Sequence, residues 1–223
     1  MSGRVLVISP HPDDETLGCG GTLLKHKQKG DRIFWLNITG MTPEQGFSPE
    51  RIHSRRLEME RVADLYGFDR WIDLSLPTTR LDALPRAEIV QKIGNVIQEL
   101  EPDTLYLPYP GDVHSDHDAV FQSSISCTKW FRHPSVKEVL VYETLSETEF
   151  GLNPDHNGFR PNLFVDITPF LEKKTEIMDT YASETGYFPF PRSPEAIKAL
   201  AAFRGAAAGC RYAESFMLLK GIR

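Results

Sequence analysis

Two short runs of histidines and carboxylates hold the chemistry that is legible in this chain: His11-Pro12-Asp13-Asp14-Glu15 and His114-Ser115-Asp116-His117. Each comes shortly after an apolar run of strand character, Val5-Leu6-Val7-Ile8 and Leu105-Tyr106-Leu107. A borderline divalent ion such as zinc accepts imidazole nitrogens and carboxylate oxygens, and His11 and Asp14 offer one of each. Asp13 cannot easily share that ion in the same geometry, so it is left free to take a proton from water. In the second run, one of His114 and His117 would complete the ligand set and the other would reach the substrate. Asp116 would hydrogen-bond a neighbouring imidazole and fix its tautomer. Pro10 and Pro12 restrict the backbone on either side of His11. A plainer reading competes for each run. Asp13, Asp14 and Glu15 would also suit the first turn of a helix, where the dipole favours acids. The second run would also serve as a polar cap, with Ser115 or Asp116 as the capping residue.

The elements that must position these groups follow from periodicity. Runs rich in Val, Ile and Leu predict strands at 4–8, 32–39, 70–74, 104–107, 138–142 and 162–167. Helical spacing predicts helices at 49–66, 84–100, 116–131 and 195–208, and another beginning at Pro169. The segment 9–21, with two prolines and three glycines, reads as a loop that turns into a helix at 22–29. Strands alternating with helices predict βαβ units, an α/β fold and a mainly parallel sheet. Ligands bind such sheets at the carboxyl ends of the strands, where both runs fall. The glycines at 18, 20 and 21 lack G-x-G-x-x-G spacing, which argues against a dinucleotide site.

The chain has 223 residues and a formal net charge of -6, enough for one well-filled α/β core and without the basic footprint of a nucleic-acid binder. Its apolar runs are too short to span a membrane. The N-terminal residues read directly into a strand, so no signal peptide is expected. Cys19, Cys127 and Cys210 form neither a disulfide framework nor a Cys-x-x-Cys site, so the expected setting is reducing and cytoplasmic. His26 reads as a solvated surface residue, and His53, His133 and His156 lack a partner at ligand spacing. The irregular stretch 143–161 suggests a hairpin or lid. The aromatic, proline-rich segment 181–191 suggests a pocket rim or packed loop, with a subunit contact favoured.

Together these residues resemble the LmbE/PIG-L family of zinc-dependent N-acetylglucosaminyl deacetylases. His11-Pro12-Asp13-Asp14-Glu15 matches the family's first motif, and His114-Ser115-Asp116-His117 resembles its second, with serine in place of the commoner proline. Arg55-Arg56-Leu57-Glu58, Pro161 to Ile167 and the stretch from Arg204 to Phe216 extend the resemblance over nearly the whole chain, read as one domain, 1–223. The resemblance implies a Rossmann-like three-layer α/β sandwich. It implies a metal ion, Zn2+ or alternatively Fe2+ or Co2+, held by His11, Asp14 and His117. Asp13 would be the general base, His114 would face the developing oxyanion, and Arg55 would contact the substrate. The expected substrate is a small N-acetylated amino sugar or conjugate, processed by a homo-oligomer. Rival readings are a same-fold amidase on another small acylated amine and a non-catalytic metal- or carbohydrate-binding module.

Overall fold

The computed structural model describes residues 2–152 and 158–223. Seven strands form one sheet in the order β3-β2-β1-β4-β5-β7-β6. Strands β1 (Arg4–Ser9), β2 (Arg32–Gly40), β3 (Arg70–Pro77), β4 (Thr104–Pro108) and β5 (Glu138–Tyr142) run parallel. Strands β6 (Leu163–Asp166) and β7 (Ala213–Gly221) close the other edge as antiparallel neighbours. Side chains alternate across the sheet, so each strand feeds two cores. Val5, Val7, Ile33 and Trp35 face helices α1 (Asp14–Gln28), α2 (Pro49–Tyr66), α5 (Leu171–Met178) and α6 (Pro194–Ala208). Leu6, Ile8, Phe34 and Leu36 face α3 (Arg86–Leu100) and α4 (Ser115–Ile125) on the other side. Two helical layers around a sheet make the expected three-layer sandwich. None of the helices among the described residues is long and apolar enough to cross a membrane.

The chain builds outward from β1 to β2 and β3, then returns to place β4 on the other side of β1. The crevice beyond the carboxyl ends of β1 and β4 is therefore the switch point of the sheet, and both histidine-carboxylate runs open onto it.

The largest departure from the sequence reading is the start of α1. This helix begins at Asp14, so most of the segment expected to be a loop is helical. Its glycines serve close approach. A Cβ on Gly18 would lie 2.2 Å from the Tyr142 ring, and one on Gly21 would lie 2.7 Å from Ile167. The tyrosine cannot retreat, because it is fully buried and donates its hydroxyl to the Ile8 carbonyl at 2.9 Å. Further along, the Glu214 carboxylate of β7 accepts the main-chain N–H groups of Gly21 and Thr22 at 2.8 and 2.7 Å. Lys174 links that carboxylate to the Leu17 carbonyl. The helix carrying the first run is thus clamped from β5, β7 and α5 together.

Strand β7 was absent from the expected elements because its inward faces include the buried polar residues Glu214 and Ser215, which break the apolar pattern. Helix α4 is shorter than expected, ending at Ile125 and tightening into a 3-10 turn over Ser126–Thr128. His26 is half-buried, bridging Asp31 at 2.8 Å and the Tyr106 hydroxyl at 3.0 Å. The expected hairpin over 143–161 does not form among the described residues, where 145–150 is a series of turns. His156 lies outside the described residues.

Replacing Gly18 with Ala should destabilise the protein by about 1–3 kcal/mol through overpacking against Tyr142. A urea unfolding curve checks this, and an unchanged midpoint would show that the helix has room to shift.

Candidate active site

The loop between β1 and α1 is held from below. Pro10 O accepts from Thr39 N at 3.0 Å and from Thr39 Oγ1 at 2.7 Å. Asp13 caps α1 with a positive φ of 128°, a conformation that costs a non-glycine residue roughly 1–3 kcal/mol. Buried Glu15 offsets that strain by accepting the Asp13 N–H at 3.0 Å, while its other oxygen takes the Tyr181 hydroxyl at 2.9 Å. Burial pushes the Glu15 carboxyl up to about 7. The acidic first turn of a helix and the cluster of reactive groups are therefore the same residues serving both purposes.

The second run opens α4, with His114 as the capping residue. Its Nδ1 accepts the Asp116 N–H at 3.1 Å, so the ring carries its hydrogen on Nε2. Burial, reinforced by the neighbouring His11, lowers His114 to about 4. Fully buried Asp116 accepts from Thr79 N at 2.7 Å and Leu81 N at 3.2 Å, and its Oδ2 lies 3.1 Å from His11 Nε2. His117 is also fully buried, and its Nδ1 lies 2.7 Å from Asp112 Oδ2.

These contacts leave a particular set of atoms unspent. Among the described residues, two groups of three have ligand atoms within 4.8 Å of one another: His11, His114 and Asp116, or His11, Asp14 and His117. In the first group Asp116 already accepts three hydrogen bonds and His114 Nδ1 is engaged. In the second group His117 Nε2 is buried without a hydrogen-bond partner among the described residues. It lies 3.3 Å from Asp14 Oδ2, and His11 Nδ1 lies 3.4 Å from that same oxygen. A buried nitrogen without a partner is costly unless something binds it. Two imidazole nitrogens and a carboxylate oxygen, each imidazole held through its other nitrogen by an aspartate, are a donor set that suits a divalent cation. Burial works against the Asp14 charge, but His117 and His11 hold its carboxyl far below the ordinary range.

Asp13 stands beside this set. Burial, and then the Asp14 charge, raise its carboxyl well above the usual value, while Arg192 opposes the rise from 3.3 Å. His11, Asp13, Asp14 and His114 all line one cavity of about 400 Å³. Met41, Phe47, Ile52 and Met59 give it an apolar wall. That size and mixture suit a small organic ligand.

Arg55 also lines the cavity, but its guanidinium is engaged with Ser183 Oγ at 2.9 Å, with Glu184, with Glu58 and with the Pro12 carbonyl. Three residues in the cavity wall escaped the sequence reading, Glu147, Glu184 and Arg192, and Asp112, legible in the sequence only as negative charge near the second run, is the partner of His117. Asp112 had a signal, since it lies five residues before His117 in an acidic run. Glu184 lies within the aromatic 181–191 segment and Arg192 directly follows it. This segment forms part of the pocket rim while leaving Tyr187 and Phe188 exposed. Burial pushes the Glu147 carboxyl up to about 7.

Comparison with known proteins adds an independent line. A family model described as PIG-L, GlcNAc-PI de-N-acetylase, matches residues 6–128. The diacetylchitobiose deacetylase of Thermococcus kodakarensis is 30% identical over 241 residues, covering 98% of this chain and 84% of that protein. The crystal structure of a conserved protein from Thermus thermophilus superposes with a TM-score of 0.78 at 27% identity, covering 99% of this chain and 96% of that one. The N,N'-diacetylchitobiose deacetylase from Pyrococcus horikoshii, solved with an inhibitor, gives a TM-score of 0.77 at 25% identity, covering 97% and 84%.

Removing the carboxylate behind His117, as in Asp112→Ala, should weaken divalent-metal affinity about 10- to 100-fold while leaving the circular dichroism spectrum intact. Competition with a chromogenic chelator measures this. Wild-type affinity in the variant would separate Asp112 from the site.

Proposed function

The chain belongs to the PIG-L family, and from that premise we propose that it is a metal-dependent hydrolase that removes the acetyl group from an N-acetylglucosamine-type sugar or conjugate. The observation that carries this reading is the convergence of His11, Asp14 and the partnerless His117 Nε2 beside Asp13 and His114, at the edge of one cavity. His11, Asp14 and His117 would hold the ion, with zinc favoured by the donor set and Fe2+ or Co2+ compatible with it. When bound, such an ion polarises the acetamide carbonyl and lowers the pKa of nearby water to about 7.

The chain's own groups then divide the remaining work. Asp13 accepts a proton from the attacking water as oxygen adds to the amide carbon. His114, with its hydrogen on Nε2, donates to the oxyanion that develops there. The proton held by Asp13 passes to the leaving nitrogen as the C–N bond breaks, giving acetate and a free amine. Asp116 and Asp112 keep His11 and His117 in one tautomer each, so their free nitrogens stay directed at Asp14. The apolar wall limits water around the reacting groups, which strengthens each of these contacts.

Acetate release from N-acetylglucosamine and diacetylchitobiose, followed alongside metal analysis, tests the reading. Asp13→Asn should lower kcat by about 10²- to 10⁴-fold with metal retained, the usual size of a general-base contribution. His11→Ala should lose both metal and turnover. Full activity in Asp13→Asn would remove the base from the scheme.

A further inference from the structure

We propose that Arg192 is a cation that contacts the sugar, donating to an oxygen that flanks the acetamido carbon; this rests on the deacetylase reading above. A guanidinium has five N–H donors in a fixed fork. Arg55 directs four of these donors into the protein, to Ser183, Glu184, Glu58 and the Pro12 carbonyl, and its side chain is only 8% exposed. Arg192 makes two contacts, NH1 to Asp13 Oδ2 at 3.3 Å and NH2 to Glu184 Oε2 at 3.1 Å. Its side chain is 21% exposed and lines the cavity, so further N–H groups remain for a ligand.

The two arginines are linked through one carboxylate. Arg55 holds one oxygen of Glu184 and Arg192 binds the other, so this carboxylate couples the positions of the two guanidiniums. The position of Arg192 then defines what it can touch. A guanidinium 3.3 Å from the carboxylate proposed as the base lies beside the reacting acetamide. In a 2-acetamido sugar, the oxygens nearest that group are the C1 oxygen and the 3-hydroxyl, and either can accept an N–H. Phe190, whose ring lies 5.5 Å from the guanidinium carbon, helps hold the fork in place.

The test combines Arg192→Met with N-acetylglucosamine analogues lacking the C1 or the C3 oxygen, reading KM and kcat from acetate release and checking metal content and melting temperature. In the variant, KM should rise about 10- to 100-fold, the size of a charge-assisted hydrogen bond, with metal content unchanged. One deoxy analogue should suffer a similar loss with the wild type and no further loss with the variant, which is the signature of a direct contact. Arg192→Lys, which keeps the charge but loses the fork, should show a smaller KM rise, and it carries the same test should the methionine variant not fold. An unchanged KM, a fall confined to kcat, or equal analogue losses in wild type and variant would overturn the assignment. A wild type that releases no acetate from any sugar would overturn the deacetylase reading and this assignment with it. An active wild type with an indifferent variant would overturn this assignment alone.

Discussion

Four aspartates gathered in one buried crevice set the terms for the rest of this structure. Asp13, Asp14, Asp112 and Asp116 are each 8% exposed or less. A buried charge without a partner costs several kcal/mol, so each carboxylate must be answered by a particular group. Asp116 is answered by two main-chain N–H groups and His11, Asp112 by His117 and Thr148, and Asp13 by Arg192. Asp14 sits between two imidazoles. Meeting these demands fixes which nitrogen of each histidine is occupied and therefore which is free. The direction of reactive atoms in this crevice is thus a consequence of neutralising buried acids.

The fold makes the crevice by placing β1 and β4 side by side although some hundred residues separate them, as in the pairing of Leu6 with Leu105. Loops that leave adjacent parallel strands at the same end necessarily meet. Rigidity comes from the first helix. Its glycines let it lie against Tyr142 and Ile167 at distances no side chain would permit, and Glu214 and Lys174 bind its backbone midway. A site that must hold donor atoms to within a fraction of an ångström benefits from such support beneath a loop that carries a strained residue.

The same physics explains what the sequence could reveal. The central strands were readable because parallel strands buried on both faces are near-continuous apolar runs, as Val5 to Ile8 shows. The two histidine-carboxylate runs were readable because their residue types are rare together and each follows such a strand. The first helix was misread because glycine signals both a turn and a close contact, and only the tertiary partner Tyr142 distinguishes them. Strand β7 was hidden by Glu214 and Ser215, polar residues made tolerable inside by partners distant in sequence. Arg192 and Glu184 had no local signature, since their meaning comes from Asp13 and Arg55, more than a hundred residues away.

The measurement that most directly tests the central claim is the position of a bound ion, from anomalous diffraction at the zinc edge on crystals of the zinc-loaded protein. The account predicts one ion, coordinated by His11, Asp14 and His117, with Asp116 and Asp112 still hydrogen-bonded to the outer nitrogens of the two histidines. An ion held instead by His11, His114 and Asp116, or no ion in this crevice at saturating zinc, would contradict it.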